Sequence, residues 1–192
     1  EIEHGYIKAT ARRLRGSRIY FDIPSVTGTE NLMMAAVLAE GTTVLENAAK
    51  EPEISDLAAF LVKRGARIVG AGTDMITVEG VTELHGADHE VIPDRIEAGT
   101  YLVAGAITGG DIVVDRCRPE HMEPLLMKLR ESGAELIEEK DRVRLKVTGR
   151  LKGTNVRTSP HPGFPTDMQA QFVALMAVAE GTSVVTETIF ES

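Results

Sequence analysis

The sequence predicts an α/β fold built from pseudo-symmetric β-α-β-α-β-β repeats. Three observations predict it. The tripeptides "LRG" (14–16), "LHG" (84–86) and "LKG" (151–153) open three segments that run through the same order of patterns. The landmarks share a period: Gly16 to Gly86 is 70 residues, Gly86 to Gly153 is 67, and Gly65 to Gly133 is 68. Each of the first two segments also holds two helix patterns of different character, one apolar nearly all round and one two-faced. A period this long that mixes helices and strands exceeds a solenoid unit. It points to units assembled about a pseudo-symmetry axis.

The elements follow in order. After each landmark comes a strand-like stretch: "SRIYFDIP", "ADHEVIPD" and "TNVRTSP". A small, apolar helix pattern is next: "TENLMMAAVLAEG", "IEAGTYLVAGAITGG" and "TDMQAQFVALMAVAEG". A helix without a polar face is buried on all sides, so runs 30–40, 96–107 and 167–179 are expected to pack at a domain centre. A strand follows in each: "TTVLENA", "DIVVDRC" and "TSVVTET". The first two units continue into amphipathic helices near 53–64 and 120–132, expected to cover sheets, and then into a strand pair. Thr27-x-x-Glu30, Asp94-x-x-Glu97 and Thr166-x-x-Gln169 resemble capping boxes at matching positions. Helix mouths aligned in this way favour phosphate or carboxylate; they serve equally as plain caps.

Composition excludes several classes. A net charge of −8 gives no basic face for nucleic acid, and the one dense basic run, "RRLRGSR" (12–18), reads as a solvated edge. A single cysteine, Cys117, leaves no disulfide framework and no cysteine-based metal site, which fits a reducing cytosol. His121 and His161 have no metal-ligand spacing. No apolar run reaches membrane-span length and no signal peptide opens the chain. "EIEHGYIKATA" begins like a strand in progress and "TETIFES" stops inside one, so the chain reads as a piece of a longer protein. No P-loop or dinucleotide glycine fingerprint is present.

One carboxylate stands out. In "HPGFPTDMQAQ" (161–171), Asp167 sits at the mouth of an apolar helix pattern. From the residues alone it is either a helix cap or a proton-transfer group.

The strings "SVTGTENLMMAAVLAEGTTVLENAAKEPEISDLAAFL", "GTDMITVEGV", "PDRIEAGTYLVAGAI" and "NVRTSPHPGFPTDMQAQFVALMAVAEGTSVVTETIFE" resemble the UDP-N-acetylglucosamine 1-carboxyvinyltransferases, a branch of the enolpyruvyl transferase family. The resemblance covers essentially the whole chain. It implies an inside-out α/β barrel fold in two domains of three repeats each, with the active site between them. Residues 1–91 would be the last repeat of the first domain, and 92–192 the first repeat and part of the next of the second, crossing near Val91 to Asp94. The implied reaction moves the enolpyruvyl group of phosphoenolpyruvate to the 3′-hydroxyl of UDP-N-acetylglucosamine and releases phosphate. It is the first committed step of peptidoglycan synthesis, a cytoplasmic step tied to cell shape and division, and uses no metal or organic cofactor.

Residue by residue, Asp167 matches the family's general base, leaving Thr166 free for capping. Ser25, Val26 and Thr27 match the loop that contacts the UDP diphosphate. Ile189 and Phe190 match positions near the sugar and uridyl groups. Glu51 and Glu53 match acidic residues lining the cleft, while Asp94 and Arg95 read as structural. Some relatives carry Gly at the position of Thr27 and Lys at that of Ile23, which removes one cation from the nucleotide site. The reactive loop and the phosphoenolpyruvate-binding Lys-Asn pair lie upstream of this chain, and further arginines downstream, so the chain is expected to be inactive alone and to need the remainder of the enzyme. Cys117 reads as a structural thiol. The competing reading is a non-catalytic repeat module whose helix mouths bind an anion or a protein partner.

Overall fold

The structure, a computed structural model, describes residues 2–190. The chain divides into two compact units, Glu1–Val91 and Ile92–Ser192.

The first unit opens with an exposed hairpin of β1 (Ile2–Glu3) and β2 (Tyr6–Ile7). Then come β3 (Arg18–Tyr20), α1 (Val26–Ala36), β4 (Thr42–Glu46), α2 (Pro52–Lys63), β5 (Arg67–Val69) and β6 (Met75–Glu79). The sheet order is β3-β4-β6-β5. β3 runs parallel to β4, and β6 is antiparallel to both β4 and β5. In β6 the alternate residues Ile76 and Val78 are fully buried, the period-2 pattern of a half-buried strand. In α2, Ile54, Ala58 and Leu61 recur at helical spacing on the buried face. Pro52 opens that helix, and Gly65, with φ +101°, follows its C-cap in the left-handed conformation that favours glycine. Met33, Leu45, Ile54, Leu61, Ile76 and Val78 form the core.

The second unit holds α3 (Arg95–Ile107), β7 (Asp111–Asp115), α4 (Glu123–Glu131), β8 (Glu135–Glu138), β9 (Arg142–Lys146), β10 (Val156–Arg157), α5 (Gln169–Val178) and β11 (Val185–Thr186). Short 3-10 turns at Pro119–His121 and Thr166–Met168 lead into α4 and α5. β7-β9-β8 form an antiparallel sheet, and β10 pairs parallel with β11. α4 buries Leu125, Leu126 and Leu129, and α3 packs on α5, as expected of the small-residue helices. Gly99 lets α3 lie close to α4 and to the turn that leads into α5: a Cβ there would lie 2.6 Å from Leu125 and 3.2 Å from Met168. Gln171 also donates to the Thr100 hydroxyl across the helix pair at 3.1 Å.

The repeat is visible in the backbone. Gly16 N–H donates to Glu40 O and Glu40 N–H to Leu14 O; Gly153 N–H donates to Glu180 O and Glu180 N–H to Leu151 O. The first and last units thus close the same parallel strand pair in the same way.

Two expectations are corrected. "ADHEVIPD" forms no strand. His85 N–H donates to Arg64 O, and His89 binds Asp56 Oδ1 at 2.9 Å while its ring packs at a tilt against Phe60, so this stretch lies along α2 rather than beside a strand. Among the described residues the outer edge of β7 is therefore without the parallel neighbour that β4 has in β3.

The apolar helices, moreover, are not buried on all faces. Thr27, Asn31, Met34 and Leu38 form an exposed stripe at helical spacing on α1 and the turn that follows it; Tyr101, Ala104 and Ile107 do so on α3, and Val173, Ala177 and Val178 on α5. Each helix buries the side facing its own unit's strands and helices, and nothing among the described residues of that unit covers the other.

Candidate functional site

In the second unit the chain reaches Asp167 through a turn. Ser159 N–H donates to Phe164 O, and Gly163 N–H to Pro160 O, folding 159–164 back on itself. Phe164 is buried edge-on against Phe172 of α5, which pins the loop to the helix it feeds. Met168, 1% exposed, is inserted into the core. Between these two anchors the backbone presents Thr166 and Asp167 at the head of α5, and Asp167 is exposed.

The capping expectation fails here. Neither the 3-10 turn nor α5 has a side-chain cap, so Asp167 caps nothing. Thr166 does not cap either. Its hydroxyl donates to Glu187 Oε2 at 2.9 Å. At the other two helix mouths the outcome differs. Asp94 caps α3, its Oδ1 accepting from Ile96 N–H at 2.7 Å and Glu97 N–H at 3.0 Å. α1 is capped by Ser25, whose Oγ accepts from Gly28 N–H at 3.1 Å, and not by Thr27, which lies exposed inside the helix. A Ser two residues ahead of the expected cap starts the helix earlier.

Glu187, which the sequence reading passed over, gathers the second unit's candidate residues. Its Oε1 accepts from the Thr158 hydroxyl at 2.8 Å, Ile189 N–H at 2.6 Å and Phe190 N–H at 3.3 Å, while Oε2 takes Thr166. One carboxylate therefore connects the residue preceding Asp167 with the 189–190 segment. Partial burial pushes the Glu187 carboxyl up. The hydrogen bonds from Ile189, Thr158, Thr166 and Phe190 outweigh that and hold it at about 2. A signal existed: Glu187 directly follows β11, the second strand of its repeat's parallel pair, as Asn47 follows β4 in the first repeat.

His161 lines a pocket with Arg95, His121, Met122, Pro165 and Met168; Asp167 is not in its wall. Cys117 is 3% exposed, its Sγ donates to Val114 O at 3.4 Å, and burial, joined by the charges of Asp141 and Asp115, pushes the thiol up. That is the environment of a structural thiol. Among the described residues no three His, Cys, Asp or Glu side chains are placed to hold a metal ion, and no helix is long and apolar enough to cross a membrane.

In the first unit Ser25, Val26 and Thr27 sit together at the head of α1. Ile23 beside them is exposed. The surroundings are acidic: burial, then the charges of Glu53 and Glu51, push the Glu30 carboxyl up. Glu51 stands at the N-cap of α2 and Glu53 in its first turn. An anion at this mouth would meet helix amides on one side and carboxylates on the other. The basic run at 12–18 is an exposed edge whose arginines pair with acids: Arg13 with Glu40 at 2.9 Å, and Arg18 with Glu46.

The family profile described as EPSP synthase (3-phosphoshikimate 1-carboxyvinyltransferase) matches residues 1–192. A UDP-N-acetylglucosamine 1-carboxyvinyltransferase of Acidobacterium capsulatum is 59% identical over 191 residues, spanning 99% of this chain and 44% of its own length. UDP-N-acetylglucosamine 1-carboxyvinyltransferase 1 of Caldanaerobacter subterraneus subsp. tengcongensis is 56% identical over 191 residues, spanning 100% of this chain and 46% of its own. The enolpyruvyl transferase NikO from Streptomyces tendae superposes with a TM-score of 0.82 at 23% identity, over 94% of this chain and 46% of that one. An EPSP synthase from Acinetobacter baumannii gives 0.65 at 24% identity, over 90% and 40%. The two structural likenesses are of fold, and they agree with the α/β class read from the repeats and with the enolpyruvyl transferase-like fold that the resemblance implies. The chain spans under half the length of the relatives it matches.

Proposed function

The chain belongs to the EPSP synthase family, and from that membership we propose that the complete protein transfers the enolpyruvyl group of phosphoenolpyruvate to the 3′-hydroxyl of UDP-N-acetylglucosamine. The choice of acceptor rests on relatives of that name at 56–59% identity along the whole chain. The reaction would open peptidoglycan synthesis and take place in the cytoplasm. In it the sugar oxygen bonds to the carbon that bears the phosphate, the hydroxyl proton leaves, and phosphate departs.

Asp167 is the group assigned to that proton. The observation that carries the reading is its setting: an exposed carboxylate, at the head of a buried-core helix, that caps nothing. A carboxylate in a first helical turn also suits the helix dipole; exposed and capping no amide, this one is in addition accessible to a hydroxyl, as a base must be to the proton it removes. Ser25, Val26 and Thr27 are assigned to the diphosphate through hydroxyls and helix-mouth amides, and Ile189 and Phe190 to the sugar and uridyl groups. Residues 1–91 are assigned as the last repeat of one domain and 92–192 as the first repeat and part of the next of another. The reaction as assigned draws on no metal or organic cofactor.

The test is Asp167→Asn in the complete protein, followed by phosphate release with both substrates. Loss of a general base costs on the order of a hundred- to ten-thousand-fold in rate, and the melting temperature should not move. A folded variant turning over within about threefold of the parent would remove Asp167 from the chemistry and favour a non-catalytic module that binds an anion or a protein partner.

A further inference from the structure

In the first and last repeats the residue directly after the second strand of the parallel pair stands where that pair is closed. In the first unit this is Asn47, six residues after Gly41; its amide donates one hydrogen bond, at 2.8 Å, to Phe21 O at the end of β3. The corresponding residue of the last unit, six after Gly181, is Glu187. Closing the pair takes one donor. A carboxylate has none to give, and this one accepts four hydrogen bonds instead.

The two oxygens divide the work. Oε1 is fixed on the inner side by the Thr158 hydroxyl and by the amides of Ile189 and Phe190. Thr158 is itself immobilised: it is fully buried, its N–H donates to Thr186 O at 2.9 Å, and its carbonyl and hydroxyl oxygens accept from the hydroxyl and N–H of Thr188 at 2.6 and 2.9 Å. Oε2 accepts from the hydroxyl of Thr166. Thr166 precedes Asp167 in a stretch that has no side-chain cap of its own.

We infer that Glu187 is a positioning residue for the proposed general base, holding the backbone at Thr166–Asp167 and the 189–190 segment on one carboxylate. This rests on the reading of Asp167 as the base. Held at about 2, the carboxyl stays ionised and the tether does not titrate near neutral pH.

The experiment uses the complete enzyme and a double-mutant cycle. Replacing Glu187 itself removes four hydrogen bonds and risks the fold, so the first variant is Thr166→Val, which keeps the side chain's shape and deletes only the arm to Oε2. Misplacing a reacting group by about an ångström costs up to a hundredfold. Thr166→Val should therefore lower kcat about tenfold while KM for the nucleotide sugar stays within about twofold. Added to Asp167→Asn, it should lower the residual rate no further, because residues acting through one another are not additive.

A second variant, Glu187→Gln, keeps shape and removes the charge; its kcat should fall by a similar factor with the same non-additivity. Three outcomes overturn the inference. If Asp167→Asn is inactive but Thr166→Val keeps the parental kcat, the tether does not matter while the base reading stands. If the losses multiply in the double variant, Glu187 acts on the fold and not through Asp167. If Asp167→Asn itself keeps the parental rate, the base reading fails and takes the positioning role with it.

Discussion

At the scale of single residues, the hydrogen bonds around Glu187 make a prediction independent of turnover. Its carboxyl lies at about 2 instead of the ordinary 4.5. A group whose pKa is depressed by folding contributes stability that is present above the unfolded value and is lost as pH falls through the folded one. The window is thus from about 4.5 down to about 2. Glu46 and Asp111 are lowered too, first by hydrogen bonds from Arg18 and Arg144, while Glu30 is raised by burial, so several carboxyls contribute to the acid response. The difference between parent and Glu187→Gln isolates this residue: the two melting temperatures should be farthest apart at neutral pH and converge below pH 4.5. A constant gap across the titration would show that the carboxylate's charge plays no part. Asp167 was conspicuous in the sequence as a carboxylate beside three Pro and Gly residues, its proposed role resting on the resemblance. Glu187 was not, since its four partners come from positions 158, 166, 189 and 190 and only the folded chain brings them to it.

At the scale of elements, the glycine landmarks were read correctly as a period and too generously as identical structures. Gly16 and Gly153 occupy the same tight place: a Cβ at Gly16 would lie 2.3 Å from Thr42 O, and one at Gly153 2.8 Å from Thr182 O. Gly86 has nothing within 4 Å, because the segment it opens turns onto α2 instead of pairing with a strand. Sequence period alone cannot distinguish these, since tertiary contacts, not local preference, decide whether a short stretch becomes a strand. The expected cap at Asp94 held, while the one at Thr27 failed for a related reason: Ser25 and Thr27 are both good caps, and which one serves depends on where the backbone enters the helix. Gly16→Ala and Gly153→Ala should each destabilise by about 1–3 kcal/mol, the usual cost of overpacking against atoms that cannot move aside. Gly86→Ala should stay within about 0.5 kcal/mol, as for an open surface position. Denaturant midpoints would rank the three, and an equal loss at Gly86 would mean that the three landmarks share one environment after all.

At the scale of the whole molecule, the exposed apolar stripes carry the last prediction. Met34 and Leu38 close to half exposed, Tyr101 at 60%, and Val173 and Val178 close to half exposed are large apolar groups on helices whose sequences have no polar face. The expectation of all-round burial followed from composition, and the described residues of each unit bury only one side of each helix. Helices of this kind are expected to be covered in the complete protein, since contiguous exposed apolar surface marks an interaction site or an aggregation hazard. The relatives are more than twice as long as the chain they match, which leaves ample polypeptide for that cover. Two consequences follow for the isolated 192-residue chain. It should release no phosphate from phosphoenolpyruvate in the presence of UDP-N-acetylglucosamine, because by resemblance the reactive loop and the phosphoenolpyruvate ligands lie outside it. It should also bind an apolar fluorescent dye more strongly, residue for residue, than the complete protein. Replacing Leu38 and Val178 by Gln should weaken that dye binding in the isolated chain and, in the complete protein, lower stability by about 1–3 kcal/mol per buried position. If the same substitutions left the complete protein's stability unchanged, the stripes would be surface in the full molecule, and the central packing of the apolar helices would be wrong.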